Sequence, residues 1–503
     1  MARQPTTPWP TTPGSVFFGD VASVATLSRA TKDGRIRRLA RGLYSADLRA
    51  DPAEVVARNR WAIVARLVPD ALIADRSAAE GGMPTAGVLT VVSNERKEPL
   101  ELPGLVVAPR PGPGPLDDDL GWAEGLHLTS EARTLVDNLA VSRGRGGRPA
   151  RTLSRSELED WVVRTSHRRP EAWLLSLRAR SLEVCDELGV PERRPQVEDI
   201  IGVADGTREA RAGAGRLLAA RAAGHEYDPD RMARFDELAT FLMAMPDELE
   251  IPGGLPALPD EPATSLPFFE AYFSNFIEGT EFSVDEAEAI VVSGEIPDER
   301  PADAHDILGT FEAVRDVDLR AAVPASQDEL LALLERRHRL VMSGRPDKRP
   351  GQFKEKPNQA GSYAFVAPGR VEGTLVEGFR RLADLPPGFA RAAFELFLIS
   401  EVHPYDDGNG RVARAAMCAE LSAVGQARIV IPVVFRNEYQ AALRNLSRGG
   451  RMDLYVRTLA HAWRWTVGMP WQDRASVDGY LVATNALTDS TDAERFGLRL
   501  ELP

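Results

Sequence analysis

The run His403-Pro404-Tyr405-Asp406-Asp407-Gly408-Asn409-Gly410-Arg411-Val412-Ala413-Arg414 gathers an imidazole, two carboxylates, two glycines and two guanidinium groups. Glycine at 408 and 410 permits tightly turned backbone, so the amides of Gly408, Asn409, Gly410 and Arg411 can converge on one anion. A phosphate fits that description. Residues 411–425 are alanine-rich and proline-free and read as a buried helix that Gly425 ends, which puts the loop at a positive helix end. Arg411 and Arg414 share one face of that helix and can hold successive groups of a polyphosphate. Upstream, residues 389–402 form a second apolar helical run, stopped at His403 because Pro404 disfavours helix before it. An imidazole there can take a proton from an attacking hydroxyl, and Asp407 can hold Mg2+ that bridges phosphates. Together these groups describe phosphoryl or nucleotidyl transfer. Taken singly, they would be a helix-end histidine and an ordinary turn.

The run resembles the signature of the Fic (Fido) family, His-x-Phe-x-(Asp/Glu)-Gly-Asn-Gly-Arg-x-x-Arg, with Tyr405 in the phenylalanine place. The tyrosine keeps the ring and adds a hydroxyl that needs a partner. The resemblance implies an all-helical domain that transfers AMP from ATP to a Ser, Thr or Tyr hydroxyl of a target protein. It implies proton removal by His403, Mg2+ binding by Asp407, and α- and β-phosphate binding by Gly408, Asn409, Gly410 and Arg411. Arg414 takes the γ-phosphate. The segment Ser274-Asn275-Phe276-Ile277-Glu278-Gly279 resembles the family's inhibitory motif. It closes the helix-like run 266–278, with Ser274 and Glu278 one turn apart and Gly279 as the stop. Autoinhibition, by Glu278 competing for Arg414, is the implied consequence. Gly361, Ser362, Tyr363 and Phe365 lie in a segment that reads as a short exposed hairpin and resembles the family's target-docking flap. By approximate position, Asn437 and Tyr439 are expected against the adenosine.

These residues need a scaffold, and the expected one is mainly α. An all-helical Fic-like domain with a short β-hairpin flap occupies 265–467, preceded by an α+β winged-helix-like module and a helical middle region. The remaining boundaries are a flexible start at 1–14, a winged-helix-like domain at 15–60, an α+β subdomain at 61–141, a helical region at 153–248 and a tail at 468–503. Residues 142–152 read as a basic linker, and the proline- and glycine-rich 249–264 as the clearest boundary. Residues 15–140 resemble the winged-helix antitoxin family of type IV toxin-antitoxin systems. Val21, Val24 and Leu27 have helical spacing there, and Arg35, Arg37, Arg38 and Arg41 are candidate DNA contacts on a wing. Little sequence precedes the first helix, so the helix-turn-helix is expected to be incomplete.

The net charge of −13 argues against a nucleic-acid coating role for the whole chain. Two cysteines without metal spacing suit a reducing cytoplasm, and the sequence contains no apolar run long enough for a membrane span. The expected partners are the target protein, DNA and a second copy of the chain. Lys354 and Lys356 read as solvated loop lysines, and His305, His338 and His461 as core or surface residues rather than metal ligands. The motif fixes the diphosphate and neither the base nor the direction, so another nucleotide donor, or removal of AMP, stays open. A DNA-binding or antitoxin-type regulator with an idle catalytic domain is the rival from another class.

Overall fold

The computed structural model describes residues 9–10, 12–170, 172–245 and 265–503. The expected boundary at 249–264, and most of the flexible start at 1–14, lie outside them. The chain divides into two compact units, Met1–Gly224 and His225–Pro503.

The first unit opens with three antiparallel strands in the order β1 (Val16–Phe18), β3 (Leu43–Ser45), β2 (Arg37–Ala40). Helix α1 (Val24–Lys32) lies between β1 and β2 in sequence, capped by the Ser23 side chain. Leu27 and Ala30 bury its inner face with Trp9, Phe17 and Ile36. The expected face is partly wrong: Val24 is 83% exposed, and Val21 belongs to a preceding 3-10 turn. Of the four wing arginines, Arg37 donates to the carbonyls of Leu48 and Ala50, Arg38 donates to Ala40, and Arg35 pairs with Asp33. Arg41 is exposed. Arg37 is thus a structural tie rather than a free contact.

Helices α2 (Pro52–Arg58) and α3 (Arg60–Leu67) lead into a six-stranded mixed sheet. Its order is β6 (Leu100–Leu102), β7 (Leu105–Arg110), β5 (Val88–Val92), β4 (Leu72–Ile73), β9 (His127–Leu128), β8 (Leu120–Gly121). The pairs β5–β7 and β4–β9 are parallel. Helices α4 (Asp75–Ala79) and α5 (Glu131–Asn138) follow β4 and β9, and α6 (Arg155–Ser166), α7 (Trp173–Glu187), α8 (Arg194–Ala204) and α9 (Arg216–Ala222) complete the unit. Residues 142–152 are more than a linker. Arg151 pairs with the buried Asp75 at 2.7 Å, and Thr152 closes the loop on Ser142 and Ala140.

The second unit begins with α10 (Pro229–Met243), which the expected boundary at 249–264 would have left in the helical middle region. Then come α11 (Leu266–Ile277), α12 (Val284–Glu288), α13 (Pro301–Arg315), α14 (Gln327–Val341), the hairpin strands β10 (Gln359–Ala360) and β11 (Tyr363–Ala364), and α15 (Val371–Asp384). The remaining helices are α16 (Phe389–Val402), α17 (Asn409–Ser422), α18 (Arg436–Gly449), α19 (Met452–Gly468), α20 (Arg474–Ala483) and α21 (Ser490–Phe496). Helix α16 is apolar on nearly every side because α10, α15 and α17 pack around it. Two close approaches set the frame. A Cβ on Gly309 of α13 would lie 2.5 Å from the Val341 carbonyl oxygen of α14, and one on Gly378 of α15 would lie 2.3 Å from Leu398 of α16. Beyond residue 467, Trp471, Val477, Leu481 and Leu500 join Phe269, Phe273 and Trp465 in one core, so the expected tail closes the domain. No helix of the described residues is long and apolar enough to cross a membrane.

Candidate functional site

Helix α16 ends at His403, whose backbone is left-handed (φ 52, ψ 60), and Pro404 prevents any continuation. The ending is held from outside the motif. Lys354 Nζ donates to the carbonyls of His403 (2.7 Å) and Val402 (3.3 Å) and to Asn358 Oδ1 (2.6 Å). A cation on the last carbonyls of a helix complements its negative end. Lys354 is 3% exposed, against the expectation of a solvated lysine, and burial with the nearby Arg231 charge pushes its pKa down to about 7.

The turn from 405 to 409 is pinned by its own side chains. Asn409 Oδ1 accepts from Tyr405 N (2.8 Å) while its Nδ2 donates to Tyr405 O (2.9 Å), so this side chain shapes the loop and only its backbone is available to an anion. Gly408 takes φ +75, and a Cβ there would also lie 2.7 Å from Met342 S. His338 supports the same turn: its Nδ1 accepts from Gly351 N (2.8 Å), which leaves Nε2 protonated and donating to Asp407 O (3.1 Å). Its ring stacks on Tyr405 with centroids 3.7 Å apart, and burial holds its pKa down at about 4. The Tyr405 hydroxyl is buried and has no hydrogen-bond partner among the described residues.

Helix α17 starts immediately after Gly408, with its first amides free of intrahelical acceptors. Arg411 and Arg414 do share a face, yet their partners differ. Arg411 is buried, pairs with Asp306 (2.9 Å) and reaches Asn275 Oδ1 (3.3 Å). Arg414 Nε donates to Ser274 Oγ (3.0 Å), and its Nη2 donates to Ser274 O (2.8 Å) and Glu278 Oε1 (2.7 Å). Burial opposes the charge on Arg414, and Glu278 and Tyr439 outweigh it, so its pKa is raised. Glu278 ends α11, and Gly279 follows with φ +95. A Cβ on Gly410 would lie 2.1 Å from Glu278 Oε1, which places that carboxylate directly over the positive end of α17.

A cavity of about 300 Å³ joins these groups, its lining including Glu278, Gly410, Arg414, His403, Tyr439, Phe365 and Tyr363. Asn437 does not belong to it. Its Nδ2 donates to Glu494 (2.8 Å), because Asn437 and Tyr439 are two residues apart on α18 and face different ways. Tyr439 lines the cavity and lies under Arg414, 6.0 Å from ring centroid to guanidinium carbon. Asp407 is half-exposed; its Oδ1 accepts from Gly408 N (2.7 Å), and Arg411 approaches to 3.4 Å. Its other oxygen has no hydrogen-bond partner among the described residues, an arrangement that suits a single carboxylate ligand of Mg2+ completed by phosphate and water.

The hairpin turns at Gly361 (φ +60) and Ser362, with Ala360 opposite Tyr363, so its first strand precedes the expected segment. Two of its side chains point inward instead of toward a target. Phe365 stacks on the His403 imidazole, centroids 3.9 Å apart at 7°, and the Tyr363 hydroxyl donates to Glu401. His403 Nδ1 lies 3.4 Å from Ser400 O, where only an N–H can serve, so Nε2 carries the free lone pair. Burial, then the Lys354 charge, pushes the imidazole pKa down to about 4. Lys354, Asn358, Asp306 and His338 belong to this site although sequence reasoning does not find them, since nothing in their local sequence marks contacts made so far along the chain.

The Fic/DOC family pattern matches residues 328–421, which hold α14, the hairpin, α16, the turn and most of α17. Protein adenylyltransferase fic-1 of Caenorhabditis briggsae is 27% identical over 199 residues, 38% of this chain and 39% of that protein. The Caenorhabditis elegans counterpart is 26% identical over 231 residues, 44% and 43% respectively. The chain thus spans about two fifths of the length of these curated relatives. Among solved structures, Fic-1 (residues 134–508) from C. elegans is 21% identical with a TM-score of 0.34, covering 65% of this chain and 93% of that one. By the match at 328–421 and the site it encloses, this segment of the chain is similar to the Fic/DOC family.

Proposed function

We propose that the chain transfers AMP from ATP to a hydroxyl of a target protein, and that the arrangement described above is its restrained form. The observation that carries the reading is the Glu278 carboxylate lying over Gly410 and paired with Arg414 at 2.7 Å, because an anion already occupies the place built for one. A triphosphate bound along α17 would meet the free amides at Gly410 and the guanidinium of Arg414, with the Arg411 charge close behind. The neutral His403 Nε2 faces the cavity as the acceptor of the hydroxyl proton. As that hydroxyl oxygen bonds to the α-phosphorus, the bond to the pyrophosphate oxygen breaks. Bound phosphates place negative charge beside the imidazole and so favour its protonated form. Asp407 would hold Mg2+, which when bound neutralises phosphate charge. Glu278, while paired with Arg414, removes the γ-phosphate partner, so the reading includes autoinhibition. The names of the adenylyltransferase relatives support the donor. Two buried, unbridged cysteines support a reducing, cytoplasmic setting.

The test is Glu278→Gly with labelled ATP and Mg2+. Self-labelling, or labelling of lysate proteins, is expected to rise at least about tenfold, and adding His403→Ala is expected to abolish it. A Glu278→Gly protein that binds ATP and labels nothing refutes the transferase reading. Parallel runs with the other nucleoside triphosphates report the base that is used.

A further inference from the structure

Helix α10 lies outside the matched family segment, yet one of its side chains reaches the site. Arg231 Nη2 donates to the Ala364 carbonyl of the hairpin (2.6 Å), its Nε pairs with Glu401 Oε1 (3.0 Å), and its guanidinium covers the Tyr363 ring at 4.9 Å. Arg448 of α18 covers the same ring at 5.5 Å. Glu401, 2% exposed, takes the Tyr363 hydroxyl on one oxygen and Ser447 Oγ on the other at 2.6 Å. Four elements meet at this carboxylate, and Arg231 is the cation paired with it.

We propose that Arg231 is a positioning residue: it fixes the hairpin so that Phe365 lies over the His403 imidazole. The chain of contacts is short. Tyr363 meets Phe365 edge-on at 5.8 Å, and Phe365 stacks on His403. Lys354 and Asn358 hold the start of the hairpin, since Phe365 N donates to Asn358 O at 3.1 Å. Arg231 holds the other side, and no other described residue pairs with both Glu401 and the hairpin backbone. Without that cation the Glu401 carboxylate would stay buried and uncompensated, and the simplest relief is for the hairpin to lift and admit water. Lysine offers the charge but not the planar fork that reaches a carbonyl and a carboxylate while lying on a ring. As far as rate is concerned, the proposal rests on His403 being the proton acceptor.

The experiment uses the full chain with isotope-labelled histidine; only seven histidines occur, so His403 and His338 can be assigned by substitution. In the unaltered protein the stacked Phe365 ring is expected to shift the His403 ring proton upfield, and the Tyr405 ring to do the same to His338. Arg231→Ala is expected to abolish the His403 displacement and leave that of His338 in place. In the Glu278→Gly background, self-labelling is expected to fall about tenfold or more in Arg231→Ala and in Arg231→Lys alike. If Arg231→Ala unfolds, both resonances move, and Arg231→Lys then decides, because it keeps a charge beside Glu401, loses the fork that also reaches the Ala364 carbonyl, and is expected to shift His403 the same way by less. A His403 resonance unchanged in a folded Arg231→Ala protein, or in a folded Arg231→Lys protein, overturns the proposal. Absence of labelling in Glu278→Gly itself would count against nucleotide transfer and leave the resonance test standing.

Discussion

His403 is kept neutral by burial under Phe365 and by the ammonium of Lys354, with a pKa near 4 against an ordinary 6.5. A base must be unprotonated to act, so activity is present above its pKa and lost as pH falls through it. In the Glu278→Gly form, kcat/KM for self-labelling is therefore expected to hold down to about pH 5 and to fall near 4. Phe365→Ala readmits water and should carry that limb toward 6.5; a limb already near 6.5 in the parent would show that the stacked arrangement is not the working one. Tyr405 makes a separate point at this scale. Its ring is used, stacked on His338, while its hydroxyl has no partner among the described residues. Tyr405→Phe keeps the stack and removes a buried unsatisfied group, so a gain of about 1 kcal/mol in urea unfolding is expected. No gain would mean that the hydroxyl is satisfied in solution.

Helix packing decides which glycines are replaceable, and two of them separate restraint from architecture. An alanine at 410 would displace the Glu278 carboxylate, as Glu278→Gly does, but its methyl would occupy the anion position itself. Calorimetry should therefore show ATP binding weakened about tenfold or more in Gly410→Ala, where Glu278→Gly strengthens it. Gly309→Ala meets carbonyl oxygens of α14 at 2.5 and 2.6 Å, which cannot swing away as a side-chain tip can. Separating α13 from α14 is expected to cost about 2 kcal/mol and to disturb Asp306 and His338 together. The same distinction explains what is legible in the sequence. The turn at 403–414 is legible because its ligands are local, and Ser274 and Glu278 because one helical turn brings both to Arg414. Lys354 reads wrongly as solvated because the two carbonyls that bury it lie far along the chain, 49 residues away for His403, a distance over which no periodicity speaks. Asn437 is misassigned when closeness in sequence to Tyr439 is taken for closeness in space, because a helix turns such neighbours apart. On α1 the three-residue series is correct but its buried part begins at Leu27 and runs on to Ala30, while Val24, the first residue of the helix, faces solvent.

At the scale of the whole molecule, the division after Gly224 assigns α10 to the unit that contains the site. That helix contributes more than Arg231. Phe235 meets Phe394 and Phe397 of α16 at 5.8 and 5.9 Å, and Asp228 N donates to Thr374 of α15, so α10 covers one side of the apolar helix α16. A fragment covering 225–503 is expected to unfold in one cooperative transition and, with Glu278→Gly, to label itself. A fragment starting at 265 lacks α10, exposes Phe394 and Phe397, and frees the Glu401 carboxylate from its cation. It is expected to be less stable by several kcal/mol, since removing one large aromatic side chain such as Phe235 from a core costs about 3 to 5 kcal/mol, and to aggregate on heating. If both fragments unfold at the same urea concentration, α10 is an ornament on the unit and the division belongs near 264. If only the longer one is stable, the folding unit that contains the site extends about one hundred residues upstream of the matched segment 328–421.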